Sequence, residues 1–120
     1  MFKYSSTNSV AFFKAFVLFA IFCTTANGNT FIVSNFSELI NAVNDASSGD
    51  TILMRDGTYT VNNGYGVQIR KNNLVIKSFS NNRNNVIVTG GGMSNGANYG
   101  FWIPGHNITI QSITIENVSR

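Results

Sequence analysis

The chain has 120 residues, of which 43% are hydrophobic and 11% charged, and its formal net charge is +3 at pH 7. The first 28 residues contain two of the eight basic residues, Lys3 and Lys14, and the only cysteine, Cys23. In the rest of the chain six basic residues therefore face five acidic ones. This near balance excludes a basic stripe for nucleic acid, and without cysteine the remaining chain has no disulfide support.

Residues 1–28 are typical of a secretory signal peptide. Lys3 and Lys14 supply positive charge, an apolar run covers residues 15–23, and a short polar segment with small residues follows. The apolar run is short for a transmembrane span, and an uncleaved N-terminal anchor is the alternative. Small residues place cleavage after Gly28 or after Ala26. We therefore expect a secreted protein, extracellular, at the cell surface or in the periplasm, with no membrane attachment after cleavage.

An amphipathic helix is predicted over residues 35–46, after a short strand that begins at Asn29. Apolar residues recur there at helical spacing: Phe36, Leu39, Ile40, Val43 and Ala46. Ser34 is the expected N-cap, because its hydroxyl can accept a hydrogen bond from a free backbone N–H. Gly49 is expected to end the helix in a left-handed cap.

Short strands with alternating apolar and polar residues are predicted from residue 51 onward. Residues 67–78 recur 34 positions later as residues 101–112, with four identities: Ile69 with Ile103, Asn73 with Asn107, Ile76 with Ile110 and Ser78 with Ser112. A fixed period indicates a solenoid, in which each repeat buries its apolar face against its neighbours. The alternation predicts that the apolar side chains point inward, including Ile103 and, in the last strand, Ile115.

Asn73 and Asn107 occupy the same corner one period apart. Asparagine tolerates a left-handed backbone at tight turns, and neighbouring strands lie about 4.8 Å apart. Their side-chain amides are therefore expected to hydrogen-bond in a ladder. We prefer this structural role to a binding role for these two residues.

The motifs occur in a characteristic order: the predicted helix, Gly49-Asp50-Thr51-Ile52, Asp56-Gly57-Thr58-Tyr59, and rungs such as Asn107-Ile-Thr-Ile110. This order resembles the N-terminal cap and first coils of right-handed parallel β-helix proteins of the pectate-lyase-like superfamily. The resemblance covers residues 31–120. It implies an all-β fold, a right-handed parallel β-helix with a short capping helix over 35–46 and coils over 51–120.

The resemblance places residues 29–120 in the N-terminal part of a parallel β-helix domain. A helix would cover the N-terminal end, because open solenoid ends expose unpaired strand edges. The other end stops after a strand without such a device. We therefore expect a fragment of a longer β-helix, and a short protein capped by dimerisation is the alternative.

The resemblance also implies a class of function. Members of this superfamily include lyases and hydrolases of acidic polysaccharides, epimerases and non-catalytic adhesins. We expect a full-length protein that cleaves an extracellular acidic polysaccharide, of lyase type, with calcium as a cofactor of that full-length form. Fold does not determine function, and a non-catalytic adhesion or surface scaffold protein is the alternative.

No catalytic, cofactor-binding or metal-binding residue is predicted within the segment itself. β-Elimination needs a base and usually a cation, whereas hydrolysis needs two paired carboxylates. The carboxylates of residues 29–120 are dispersed along the sequence: Glu38, Asp45, Asp50, Asp56 and Glu116. His106 at a corner has no orienting partner in its sequence neighbourhood. The segment alone is therefore expected to be inactive.

Three residues are candidates for contact with a glycan: Trp102, Arg70 and Lys71. An outward aromatic ring can stack on a sugar, and basic groups can contact an anionic chain. The alternatives are solvated edge charges for Arg70 and Lys71 and a covered ring for Trp102.

Overall fold

The computed structural model of the protein describes residues 28–93 and 97–119. Residues 1–27, with Cys23 and nearly all of the predicted signal peptide, lie outside the described part. Strands and one helix follow one another in this order: β1 (Thr30–Val33), α1 (Phe36–Asp45), β2 (Thr51–Met54), β3 (Gly57–Thr60), β4 (Val67–Gln68), β5 (Leu74–Ser78), β6 (Val86–Thr89), β7 (Phe101–Trp102), β8 (Ile108–Gln111) and β9 (Thr114–Glu116). The prediction of a strand-rich chain with one helix is confirmed.

The strands form three sheets, and all of their pairings are parallel. Sheet A has the order β1-β2-β5-β8, sheet B the order β3-β6-β9, and sheet C consists of β4 and β7. From β2 onward the chain visits sheets A, B and C in turn, repeats that order, and returns to A and B. From β2 onward, strands that are neighbours in a sheet are therefore separated by one complete circuit of the chain.

The 34-residue repeat places equivalent residues side by side. Val67 pairs with Phe101 in sheet C, and Leu74 pairs with Ile108 in sheet A. Within β5 the residues alternate between buried and half-buried, with Leu74 and Ile76 inside. The predicted strand periodicity is confirmed here, because successive residues of a strand point to opposite faces.

One cluster of buried apolar side chains joins the helix to all three sheets. Its most deeply buried members are each less than 2% exposed: Leu39, Ile52, Met54, Tyr59, Val67, Ile69, Leu74, Ile76, Val86 and Val88. Helix α1 packs against β1, β2 and β4. Burial of these side chains is the main favourable term in the folding of such a domain.

Helix α1 begins at Phe36, one residue later than predicted. Asn35, not Ser34, is the N-cap: its backbone is extended and its Oδ1 accepts from the Glu38 N–H at 2.9 Å. The Glu38 carboxylate in turn accepts from the Ser34 N–H at 2.8 Å. Asparagine is as good a cap as serine, so composition alone did not separate the two positions. In the described part of the chain no helix is long and apolar enough to cross a membrane.

The helix also ends differently from the prediction. The C-cap is Ala46, which is extended and whose N–H donates to the Ala42 carbonyl. Gly49 does adopt a positive φ of 98°, but it lies in the turn between α1 and β2. The left-handed glycine thus serves the turn into sheet A and does not terminate the helix.

The predicted asparagine ladder is present. Asn107 Nδ2 donates to Asn73 Oδ1 at 2.6 Å, and Asn73 Nδ2 donates to Ser48 Oγ at 2.7 Å. Both asparagines have a left-handed backbone, with φ of 60° for Asn73 and 58° for Asn107. The ladder joins the turn after α1 to the two turns that directly precede β5 and β8.

Two of the residues predicted to point inward are substantially exposed. Ile103 is 40% and Ile115 is 44% exposed. Ile115 pairs in register with the buried Val88, so it lies on the core side of sheet B. However, β9 is the edge strand of that sheet in the described part of the chain. Alternation predicted the direction of Ile115 correctly, but burial also requires a neighbouring layer.

Candidate functional site

The outer face of sheet C brings together two of the three predicted contact residues. Gln68 of β4 pairs in register with Trp102 of β7. Arg70 lies two residues after Gln68, with the buried Ile69 between them. Arg70 follows the end of β4, and the contact of its guanidinium with the Gln68 side chain shows that both project from the same outer face.

Arg70 is held between two neighbours on this face. Its guanidinium carbon lies 4.8 Å from the ring centroid of Trp102, which is cation–π geometry. Its Nη2 donates to Gln68 Oε1 at 2.9 Å. A guanidinium has five N–H donors, so most of them are left for a ligand after the bond to Gln68.

Tyr65 completes the cluster. Its ring centroid is 5.7 Å from that of Trp102 with a tilt of 48°, and it is 6.3 Å from the ring of Tyr99, nearly parallel to it. The Tyr65 side chain is 55% exposed. We call the cluster of Tyr65, Gln68, Arg70 and Trp102 the aromatic ledge.

Local backbone chemistry sets the position of Tyr65. Asn63 Oδ1 accepts hydrogen bonds from the Tyr65 N–H at 2.9 Å and the Gly66 N–H at 2.6 Å, a turn that asparagine favours. Gly66 has a φ of 67°, and a Cβ there would lie 2.3 Å from the carbonyl oxygens of Tyr99 and Gly100. Only glycine therefore allows this corner to approach the next one closely enough for the two tyrosines to stack.

Two adjoining depressions follow this face. One of about 360 Å³ is lined by the four residues of the aromatic ledge. The other, of about 350 Å³, lies between α1 and sheet C and is lined by Ile40, Val43, Asn44, Asn63, Gly66, Gln68, Arg70 and Lys71. Gln68 and Arg70 line both, so they form the junction of a groove that runs from the helix to Trp102.

Lys71, the third predicted contact residue, points elsewhere. Its Nζ donates to the Ala46 carbonyl at 2.6 Å and also to the Asn44 carbonyl. Helix α1 has no basic residue in its last turn, and a cation near the last carbonyls is favourable there. Lys71 thus stabilises the end of α1 and lines only the depression beside the helix.

The carboxylates of the described residues stay apart from the ledge contacts, and three of them serve the fold. Glu38 belongs to the helix cap, and the buried Asp50 accepts from two backbone N–H groups. Asp56 accepts from Ser80 Oγ at 2.7 Å. Among the described residues no group of three or more His, Cys, Asp or Glu could hold a metal ion.

His106 lies at the corner predicted from the sequence. Its backbone N–H donates to Asn72 Oδ1 at 2.9 Å, and the residue is exposed. This contact joins two corners one period apart, in the same way as the asparagine ladder. The backbone N–H of His106 therefore helps to hold these two corners together.

Sequence reasoning missed Tyr65 and Gln68, although the sequence contains a signal for both. The dipeptide Tyr65-Gly66 recurs as Tyr99-Gly100, again 34 residues later, and Gln68 is equivalent to Trp102. Extending the repeat by two residues toward the N-terminus places the two tyrosines side by side. The pairing of Arg70 with Trp102 has no such signal, because it depends on side-chain conformation.

A guanidinium stacked on an aromatic ring beside an exposed tyrosine suits an anionic, ring-shaped ligand. Comparison of the chain with protein-family models, with curated proteins and with solved structures gave no match. The resemblance to a family therefore rests on the sequence motifs alone. The geometry of the sheet C face is what indicates a ligand.

Proposed function

We propose that the chain forms the first coils of a right-handed parallel β-helix of the pectate-lyase-like type, and that its outer sheet C face binds an extracellular acidic polysaccharide. Three parallel sheets visited in a fixed order support the coil. The helix packed on β1, β2 and β4 supports the capping role. The Gly-Asp-Thr-Ile and Asp-Gly-Thr-Tyr motifs support the family.

One observation carries the binding proposal: Arg70 is pre-positioned over Trp102, beside the exposed ring of Tyr65. A pre-positioned guanidinium loses less side-chain entropy when it binds a carboxylate. An aromatic ring next to it covers the apolar face of a sugar. A uronate residue presents both features, a pyranose ring and a carboxylate attached to it.

Cleavage by β-elimination belongs, in this proposal, to the full-length form and its calcium site. The base of a lyase site, and the residues that would hold its cation, lie in this proposal outside the described part of the chain. The chain itself is a binding segment, and we expect it to be inactive. Those other residues would hold the calcium ion, which would neutralise the carboxylate of the uronate.

The ledge also fits the second candidate, a non-catalytic adhesion or surface scaffold protein. Binding through Tyr65, Arg70 and Trp102 needs no base and no metal. The two candidates differ in one outcome: a full-length lyase releases unsaturated uronides from the polymer that it binds, whereas a scaffold binds the polymer unchanged.

The binding test uses tryptophan fluorescence. Trp102 is the only tryptophan of the chain, so its emission reports directly on the ledge. The purified secreted protein is titrated with an oligogalacturonate and with a neutral oligosaccharide of equal length. We expect a saturable change with the acidic oligomer and a much weaker response to the neutral one.

Two matched variants make this test specific. Arg70→Gln is expected to weaken binding at least about tenfold, since charge-assisted hydrogen bonds contribute about 1.5–3 kcal/mol. Lys77→Gln removes the same charge from the outer side of β5 in sheet A and is expected to bind normally. Equal losses in both variants would show that only net charge matters, and no saturation with any acidic oligomer would refute the proposal.

Turnover is measured on the same samples. We expect no unsaturated uronide product from the purified chain, with or without added calcium. Product that appears in the wild type and is abolished by calcium chelation would overturn the prediction of inactivity and place a catalytic site within these residues.

A further inference from the structure

Asp50 is the one buried acidic or basic residue in the described part of the chain. It is 3% exposed. Its Oδ1 accepts from the Asn29 N–H at 2.8 Å, and its Oδ2 accepts from the Ser47 N–H at 2.8 Å. The carboxylate therefore ties the beginning of the described chain to the turn after helix α1.

A carboxylate in such a place prefers a positively charged partner. Burial of an ionised carboxylate is costly unless the charge is paired as well as hydrogen-bonded. Both hydrogen bonds of Asp50 come from backbone nitrogens, and one of those nitrogens, that of Asn29, lies directly after a predicted cleavage position. The charge state of that nitrogen depends on how the signal peptide is processed.

We propose that the precursor is cleaved between Gly28 and Asn29, and that the new α-ammonium of Asn29 forms an ion pair with Asp50. Hydrolysis adds water across this peptide bond. The Gly28 carbonyl becomes a carboxylate on the released peptide, and the Asn29 nitrogen takes up protons to become an ammonium. The nitrogen atom already lies at hydrogen-bond distance from Asp50 Oδ1, so the pair forms without movement of the backbone.

The residues around the bond agree with this position. Signal-peptide cleavage requires small residues immediately before the bond and two positions earlier, which here are Gly28 and Ala26. A Cβ on residue 28 would lie 2.1 Å from the Gly49 carbonyl oxygen and 2.7 Å from Asp50 Oδ1. The alternative cleavage after Ala26 keeps Gly28 in this crowded position and leaves a neutral amide against the buried carboxylate.

The ion pair would link maturation to the fold. The Asn29 carbonyl accepts from the Thr51 N–H at 2.9 Å, at the start of the β1–β2 pairing. Asp50 also holds Ser47 in the turn that follows α1. A charged Asn29 nitrogen therefore fastens strand β1, the end of the helix and strand β2 at one point, and only the processed chain has that charge.

The first test is the N-terminal residue of the secreted product. The full 120-residue precursor is expressed through a secretory route, and the mature N-terminus is read by sequencing and intact mass. Asn29 at position one is expected. A mature chain that begins at Asn27, or one that retains the leader, overturns the proposal.

The second test concerns the ion pair itself. The α-amine is acetylated selectively at near-neutral pH in the denatured protein, where its usual pKa of about 7.7–8.0 lies far below that of lysine, and the protein is then refolded. Acetylation is expected to lower the Tm of the secreted protein by at least about 4 °C. An unchanged Tm after complete α-acetylation would show that the ammonium and Asp50 do not interact.

Two variants separate the pair from general damage. In Asp50→Asn the effect of acetylation is expected to disappear. A variant with one glycine inserted between Gly28 and Asn29 keeps Asp50 but returns a neutral amide to the Asn29 position, and glycine adds no Cβ at the crowded site beside Gly49. It is expected to match the acetylated wild type in Tm, and a Tm equal to that of the untreated protein would count against the ion pair.

Discussion

The two copies of the repeat differ in burial although they share their pattern. In residues 67–78, Ile69 and Ile76 are 0% exposed. One period later, Ile103 is 40% exposed and Ile110 is half-buried. Strands of the first copy have a neighbouring layer on both sides or lie under helix α1, whereas β7 and β8 are edge strands in the described part of the chain.

This difference shows that strand periodicity determines which way a side chain points. Whether that side chain is buried depends on a neighbouring strand or helix packed beside it. In this structure a strand buries its apolar side where a neighbouring strand or helix α1 packs beside it. The same isoleucine at the same strand position therefore contributes very different amounts to stability in the two copies. The first copy should behave as core, and the second copy as a partly solvated edge.

The largest expected change in stability is the difference between Ile76→Ala and Ile110→Ala. These two residues are paired in β5 and β8. Ile76→Ala is expected to lower the free energy of unfolding by about 2–5 kcal/mol, because it leaves a cavity in a closed core. Ile110→Ala should cost about 1 kcal/mol, since water and relaxation offset part of the loss. Urea unfolding of both variants measures this. Equal losses would mean that β8 is covered as fully as β5.

The next largest effect is expected at Tyr59, which lies in β3, an edge strand of sheet B in the described part of the chain, and is fully buried. Its hydroxyl oxygen lies 3.0 Å from the Val33 carbonyl oxygen and 2.8 Å from that of Arg55, so the single O–H proton is shared between the two carbonyls. Burial, with the nearby carboxylates of Glu38 and Asp56, raises the pKa of Tyr59 to about 12. The neutral phenol is thus favoured in the folded protein.

The folded pKa of Tyr59 lies above its unfolded value of 10.0. The corresponding stabilisation is complete below pH 10 and is lost as the pH rises toward 12, by roughly 2 kcal/mol. Tyr59→Phe should lack this slope and be about 1–3 kcal/mol less stable at pH 7. The pH dependence of stability is measured as the Tm of the wild type and of Tyr59→Phe from pH 8 to 12. Parallel profiles would show that other groups cause the alkaline loss.

The asparagine ladder gives a smaller contrast between the same two copies. Asn73 has ladder partners on both sides, Ser48 and Asn107, whereas Asn107 bonds along the ladder to Asn73. Asn73→Ala is expected to cost about 2 kcal/mol and Asn107→Ala about 1 kcal/mol, from lost hydrogen bonds and a strained positive φ.

Glycine variants at the two ladder positions are the control, because glycine adopts the positive φ freely. Asn73→Gly and Asn107→Gly should relieve the backbone strain, so that only the loss of the ladder hydrogen bonds lowers their stability. Chemical unfolding of the four variants gives the comparison. If the glycine variants are as stable as the wild type, the ladder bonds contribute nothing and backbone conformation explains the asparagines.

The smallest expected effect is at the helix end. Lys71→Met removes the ammonium from the Ala46 and Asn44 carbonyls and should cost about 1 kcal/mol. Lys77→Met on the outer side of sheet A is the matched control and should be nearly neutral. A change in Tm measures both. An unaffected Lys71→Met variant would mean that the end of α1 is satisfied by solvent.

Much of the fold could be predicted from particular residues. The apolar spacing from Phe36 to Val43 predicted the helix, and the period shared by Asn73 and Asn107 predicted a ladder that the structure confirms. The cap was misassigned by one residue, because Ser34 and Asn35 are equally good caps. Only the extended backbone of Asn35 and its contact with the Glu38 N–H decide between them.

The candidate site was predicted less completely. Arg70 and Trp102 were recognised as outward residues, but nothing local to either one indicates that they stack. Lys71 follows Arg70 directly, yet the two side chains turn to different neighbours, one to a ring and the other to the end of a helix. The two carbonyls that Lys71 contacts are 27 and 25 residues away, and neither separation matches the 34-residue period.

The sequence by itself determined which residues form strands, which faces point inward and which corners need a left-handed backbone, because these properties depend on alternation and on local φ preferences. The tertiary structure alone decided which inward faces are buried, where the Lys71 and Asp50 charges find partners, and how Tyr65, Arg70 and Trp102 meet. These outcomes require residues from different circuits of the chain to be brought within a few ångströms of each other, and only the stacking of the layers supplies that distance.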